Sequence, residues 1–275
     1  MPPFLRLLPI ILLIINPITF AAPPYGNLAT DSTIDPAVMQ IDENKYLGSS
    51  MQADYVLIDN NGKEFKFQDL IGKPLILLLS YYACNGTCPI INSKLKQVLT
   101  TIDRFQIGTD YQVLTLSFDQ NDNSTTMQNF VKQLDIPEYM EQGWYHVVFK
   151  NQDIASFTKS IGYKYFWSRK DKIFLHPNVL IFITPEGRVA RYLYGTTLDK
   201  DTIELALIDA DWNRIANSSN VIDILTGVCY SYNFAEGKYT INYSLFISLA
   251  SLTFGITIIG LSLLGFSRKH KKEVT

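Results

Sequence analysis

The chain has 275 residues, 24 Lys+Arg against 26 Asp+Glu, and a formal net charge of -2. Near-neutral charge without a basic cluster in the central region gives no reason to expect a nucleic-acid partner. The length suits one ordinary domain with additions, and the hydrophobic excess (47% of residues) is concentrated at the two ends.

Met1 to Phe20 holds one cation, Arg6, followed by the apolar run Leu7–Ile15. This is the pattern of a secretory signal peptide over residues 1–21, with Thr19-Phe20-Ala21 as the cleavage site. A retained N-terminal anchor is the alternative, and Pro17 weighs against a long helix there. Residues 22–50, with Pro23, Pro24, Gly26 and Pro36, are expected to be an extended linker.

A domain over 51–217 follows. Tyr55–Ile58, a turn at Asp59-Asn60-Asn61-Gly62 and Glu64–Phe67 predict a β-hairpin. Leu75–Ser80 is a continuous apolar run, which predicts a strand buried on both faces. After Pro89, the spacing of Ile90, Ile91, Leu95, Val98, Leu99 and Ile102 predicts an amphipathic helix. Further strands are expected at 111–118, 144–149, 179–183 and 188–194, with helices at 125–134, 154–161 and 199–215. Buried strands alternating with helices make an α/β layered fold. The closing order of strand, Pro185-Glu186-Gly187 turn, strand and helix is thioredoxin-like.

From Ile241 to Phe266 no residue is charged, and Leu245–Phe266 alone is 22 residues. At about 1.5 Å per residue a helix of that length crosses the hydrocarbon core, roughly 30 Å thick. The sequence therefore predicts a juxtamembrane segment at 218–242, a transmembrane helix at 243–266 and a tail at 267–275. Arg268, Lys269, Lys271 and Lys272 place that tail in the cytoplasm. The expected topology is single-pass in the inner membrane, with the main domain in the periplasm.

Two of the three cysteines, Cys84 and Cys88, lie between the buried strand and the helix, where the helix dipole favours thiolate. Three readings compete: a structural disulfide, a redox-active dithiol, and a soft metal site for Cu(I) or zinc. For a dithiol, the usual spacing is two residues rather than three. In a metal site, both thiolates would reach one ion if the loop were helical. Of the three histidines, His270 falls in the tail and His146 reads as a sheet histidine. His176 precedes the third apolar strand, where a thioredoxin-like fold passes beside the cysteine loop, and Pro177 stands where such folds often carry a cis-proline. Cys229, among Tyr230, Tyr232 and Phe234, reads as an incidental thiol in an aromatic belt or as a third thiol for metal hand-over or intermolecular disulfide formation.

These residues resemble the Sco/SenC copper-binding proteins of the respiratory chain. Cys84-x-x-x-Cys88-Pro89 is the family's cysteine motif. His176 is followed nine residues on by Pro185-Glu186-Gly187, and Tyr194-Gly195 matches the next strand end. Asn61-Gly62-Lys63 and Gly72-Lys73-Pro74 extend the likeness over roughly 50–210, and the tail resembles a C-terminally anchored bacterial branch. Two departures stand out. The family's Asp-Pro-Glu-Arg-Asp is here Asp119-Gln120-Asn121-Asp122-Asn123, and Pro177 replaces a small residue.

The resemblance implies one copper ion, Cu(I) or Cu(II), held by Cys84, Cys88 and His176, with the cysteines doubling as a redox pair. It implies a metallochaperone for the dinuclear copper site of cytochrome c oxidase. Partners would be the oxidase's copper-containing subunit and, beyond it, other periplasmic copper chaperones or thioredoxin-like reductants. The alternative is a membrane-tethered thiol–disulfide oxidoreductase or peroxidase; an interaction module regulating respiratory genes is a third reading.

Overall fold

The computed structural model describes residues 39–52, 54–151, 153–169, 171–195, 198–216, 230–233, 238–241, 247–248 and 250–258. The signal-peptide expectation, Cys229 and His270 lie outside these residues.

A seven-stranded mixed sheet organises the domain. Its strands are β1 (Val56–Asp59), β2 (Glu64–Lys66), β3 (Leu75–Ser80), β4 (Gln112–Ser117), β5 (Trp144–Phe149), β8 (Val179–Ile183) and β9 (Val189–Tyr194), in the order β2-β1-β5-β4-β3-β8-β9. The remaining elements are α1 (Glu43–Tyr46), α2 (Thr87–Leu99), α3 (Ser124–Leu134), α4 (Glu138–Glu141), α5 (Ile154–Ser160), α6 (Lys200–Asp211) and a separate hairpin, β6 (Phe166–Ser168) with β7 (Ile173–Leu175).

Strand β3 is apolar throughout because it is covered on both faces. Leu75, Leu77 and Leu79 face one layer, with Phe67, Phe118 and Phe157. Ile76 and Leu78 face the other, against Ile91, Leu95 and Leu99 of α2 and Ile203 and Leu207 of α6. Each residue thus alternates between two cores, as a period of two requires. Helix α3 starts at Ser124, where the Asn123 side chain caps the amides of Thr125 and Thr126.

Pairing β3 parallel to β4 and antiparallel to β8 has a consequence for position. Ser80 pairs with Ser117 at the end of β4, and Leu78 pairs with Leu180 near the start of β8. The loops after Ser80, after Ser117 and before Val179 therefore meet at one edge of the sheet. Such strand ends are where open α/β sheets build sites.

Several expectations change. The linker reading of 22–50 does not hold for its last residues: Ile41 is buried, α1 forms, and Ser50 bridges to Arg188. Tyr46 packs flat on Gly162, whose φ of +68° and lack of a side chain allow both the turn and the contact. Helix 199–215 ends early, at Asp211. The hairpin β6–β7 and a two-stranded ladder, β10 (Tyr230–Asn233) with β11 (Lys238–Ile241), were not expected from the sequence. No described peptide bond is cis, so Pro177 follows His176 in trans. Among the described residues no helix is long and apolar enough to cross a membrane; within the expected 243–266 span, residues 247–248 and 250–258 are helical.

Candidate metal centre

The cysteine loop leaves β3 through Tyr81 and Tyr82 and enters α2 one residue before Cys88, so Cys88 belongs to the first turn of the helix. Cys84 is not helical. The premise that both thiols project from one helical face is therefore incorrect. They meet because the loop folds back over the helix start. Gly86, the residue before α2, offers no side chain to cap it. The Cys84 sulfur takes that role, accepting the Gly86 N–H at 3.2 Å.

Both cysteines are free thiols, Cys84 9% exposed and Cys88 fully buried. The Cys88 thiol, the Tyr81 hydroxyl and the backbone N–H groups of Cys88 and Gly86 all direct hydrogen bonds at Cys84. Against the opposing cost of burial they bring its pKa down from 9.0 to about 5. Donating to Cys84, together with burial, pushes the Cys88 thiol well up. One sulfur is thus an anion at neutral pH, stabilised in part by its partner's proton and by the start of α2.

His176 arrives from β7, opposite Cys88, and its Nε2 lies 3.7 Å from the Cys88 sulfur. Its Nδ1 is 3.1 Å from the Pro177 carbonyl and 2.9 Å from the Tyr163 hydroxyl, which itself donates to that carbonyl at 3.3 Å. A carbonyl only accepts, so the ring proton belongs on Nδ1, and Nε2 turns a lone pair toward the cysteines. Burial holds the imidazole below its ordinary pKa, with the Pro177 carbonyl and the Cys84 charge opposing. The ring is therefore neutral at pH 7, the state a ligand needs. Phe118 (5.1 Å between centroids) and Tyr81 (6.2 Å, edge-on) fix its plane.

These residues fit a metal ion. A nitrogen and a sulfur 3.7 Å apart can share one ion at roughly 2.0 and 2.3 Å with an N–metal–S angle of about 120°. Among the described residues no three His, Cys, Asp or Glu side chains already converge as a ready cage. The thiols are instead hydrogen-bonded to each other, an arrangement that a bound ion would replace.

Supporting residues came from places the sequence did not flag. Asp122 accepts from the Tyr82 N–H and the Ser117 hydroxyl, both at 2.6 Å, tying the cysteine loop to the end of β4. Asp119 instead accepts from Asn121 and lines a cleft of about 290 Å³ with Phe118, Ile154 and Phe174. Buried Asn92 donates to the Cys88 carbonyl (2.8 Å) and the Ser80 hydroxyl (3.0 Å), and accepts from Thr115 (3.0 Å). A signal did exist for Asn92, a polar residue four positions from Cys88 on the apolar face of a helix. None existed for Tyr163. His146 is a buried sheet histidine, stacked on Trp144 and away from the cysteines.

Comparison with known proteins gives the family. The chain is 30% identical to a candidate electron transfer protein of Aquifex aeolicus VF5, covering 60% of this chain and 95% of that one with a TM-score of 0.56. It also aligns with Arabidopsis thaliana ScoI, solved with copper bound, at 24% identity over 59% of this chain and 93% of that one, with a TM-score of 0.45. A third likeness is to BsSco, described as a member of the Sco family of cytochrome c oxidase assembly proteins (16% identity, 59% and 99% covered, TM-score 0.49). No curated protein sequence matches. The SCO1/SenC family model matches residues 43–208, more than half of the chain, and the chain belongs to that family.

Proposed function

We propose that this protein is a membrane-tethered copper chaperone that holds one copper ion through Cys84, Cys88 and His176. It serves the dinuclear copper site of cytochrome c oxidase, whose copper-containing subunit is its partner. The observation that carries this reading is the His176 ring, neutral and fixed, with its Nε2 lone pair 3.7 Å from the Cys88 sulfur. Two thiolates suit Cu(I), and an added imidazole makes Cu(II) accessible as well. Family membership and the sequence of both chain ends support the assignment. On this reading the signal peptide expected over 1–21 and the span expected over 243–266 put the domain in the periplasm and the C-terminus in the cytoplasm.

The protein's own residues do the following. Tyr163 and Pro177 hold the proton on Nδ1. Tyr81, Gly86 and the start of α2 keep Cys84 anionic. Cys88 loses its proton as an ion enters. Oxidation of the two thiolates to a disulfide sends two electrons to an acceptor disulfide and removes both sulfur ligands, so the same pair can reduce acceptor cysteines and release the metal.

Anaerobic titration of the full chain in detergent tests the assignment. About one Cu(I) per chain should bind, and Cu(II) should give a thiolate-to-copper charge-transfer band. An unchanged Cu(II) spectrum and affinity in His176→Ala would sink the three-ligand site. A second reading, thiol–disulfide oxidoreductase, is favoured by the low pKa of Cys84 beside a protonated Cys88. Insulin or peroxide turnover without copper retention would establish it instead.

A further inference from the structure

The hairpin β6–β7 is not hydrogen-bonded to the central sheet; it forms a two-stranded sheet of its own beside the metal centre and leads directly into His176. Its register fixes its two faces. Trp167 pairs with Phe174, and Phe174 packs on Tyr81 and Phe118 at 5.1 and 5.5 Å, so this face belongs to the site. Phe166 pairs with Leu175, and Ser168 with Ile173, so these four share the opposite, outward face. There Phe166 and Ile173 remain 42% and 44% exposed; Trp167, between Phe166 and Ser168 but on the other face, is itself 52% exposed at the hairpin's edge. Large apolar side chains concentrated on one small outward face mark an interaction surface.

Charge identifies the occupant. In a chain of net charge -2, the stretch 164–175 carries Lys164, Arg169, Lys170 and Lys172 against one acid, Asp171. The Asp171 carboxylate is already engaged by the Ser168 hydroxyl at 2.6 Å. Lys164, Arg169 and Lys172 are exposed around the apolar face. Aromatic and aliphatic side chains ringed by cations are the composition of a segment that rests in the headgroup layer of an anionic bilayer. A C-terminal tether supplies the proximity such a weak contact requires.

We propose that the outward face of β6–β7 docks on the surface of an anionic phospholipid membrane, a contact that goes beyond the tether of the proposed function and rests on it for proximity. Because the opposite face of the hairpin packs on Tyr81 and Phe118, docking sets the Cys84–Cys88–His176 edge close to the bilayer. Metal would then be exchanged at the height of a membrane-anchored acceptor.

The test uses the full chain carrying Trp212→Phe, so that Trp167 is the exposed indole and Trp144, 3% exposed, is an internal reference. The chain is incorporated into vesicles of phosphatidylcholine and phosphatidylglycerol in equal parts, with or without brominated acyl chains, which quench indole by contact. Trp167 emission should fall with the brominated lipid, and far less in pure phosphatidylcholine. Lys164→Glu combined with Arg169→Glu and Lys172→Glu should reduce that quenching several-fold while flotation with the vesicles is unchanged. Trp167 emission indifferent to brominated anionic lipid overturns the proposal and leaves the hairpin to water or to an acidic protein. Loss of flotation in the unsubstituted chain refutes the tether separately.

Discussion

Tyr163 and His176 meet at 2.9 Å, phenol oxygen to ring Nδ1, and this contact helps decide which nitrogen faces the cysteines. Tyr163 lies on the turn after α5, thirteen residues before the histidine, at the point where Tyr46 packs on Gly162. The segment 41–51, to which Tyr46 belongs, thus packs against the same turn that supplies the phenol to the imidazole.

Removing that hydroxyl should matter more to the metal than to the fold. Tyr163→Phe leaves Nδ1 its Pro177 carbonyl, so unfolding free energy should drop by only about 1 kcal/mol. Loss of an outer partner of a ligating histidine typically weakens metal binding roughly 10–100-fold. Competition titration with Cu(II) reads this directly; an unchanged affinity would remove Tyr163 from the account.

The Cys84 thiolate sets a pH profile for alkylation. With its pKa near 5, iodoacetamide should modify reduced protein at a rate nearly flat from pH 8 to 6 and falling through 5. Cys88→Ala removes the largest cause of the shift and should move that fall upward toward the ordinary thiol range. The sign for stability follows. An acid whose folded pKa lies below its unfolded 9.0 contributes stability that is present above pH 9 and lost as pH falls toward 5. The advantage of wild type over Cys84→Ser in urea, under reductant, should therefore shrink over that window.

Asp122 gives a test of how the cysteine loop is held. Asp122→Ala deletes two hydrogen bonds to a carboxylate, each 2.6 Å, and should cost roughly 2–4 kcal/mol. Cys84 alkylation should accelerate in the same variant. Asp119→Ala should leave alkylation near the wild-type rate, since Asp119 does not touch the loop. Equal behaviour of the two variants would contradict the assignment.

His146 gives the opposite pH dependence to a salt-bridged base. Burial depresses its pKa from 6.5 to about 3, and its Nε2 has no hydrogen-bond partner. Below pH 6.5 the unfolded chain takes up a proton that the folded one refuses, so stability falls as pH drops from 6.5 toward 3. By pH 5 this amounts to about 2 kcal/mol. Replacement by a neutral side chain, His146→Leu, should flatten the difference between unfolding at pH 7 and at pH 5; an undiminished difference would assign it to other groups.

The central sheet was legible because burial on both faces writes itself as uninterrupted apolar runs, as in Leu75–Ser80 and Val179–Ile183. The cysteine and histidine positions followed from spacing and strand order. What stayed hidden depended on contacts between distant segments. Tyr163 has no local pattern to distinguish it from the other tyrosines, and Asp122 sits in a polar loop beside the more prominent Asp119. The hairpin β6–β7 is broken at its centre by Arg169-Lys170-Asp171-Lys172, which hides its alternation. The 41–51 segment reads as linker because its few apolar anchors, Ile41, Tyr46 and Met51, fall five residues apart, matching neither the period of two of a strand nor the 3.6 of a helix.

The absence of a capping side chain before α2 makes the helix itself a sensor of Cys84. Its first amides, at Gly86 and Cys88, rely on one sulfur that is also a ligand, a redox partner and a nucleophile. An ion or an oxidant that takes up one of that sulfur's lone pairs weakens it as an acceptor for those N–H groups and should loosen the first helical turn. Occupancy of the centre thus becomes a mechanical state of the protein's surface, readable by amide exchange at the start of α2 and available to any partner that touches the exposed Ile90.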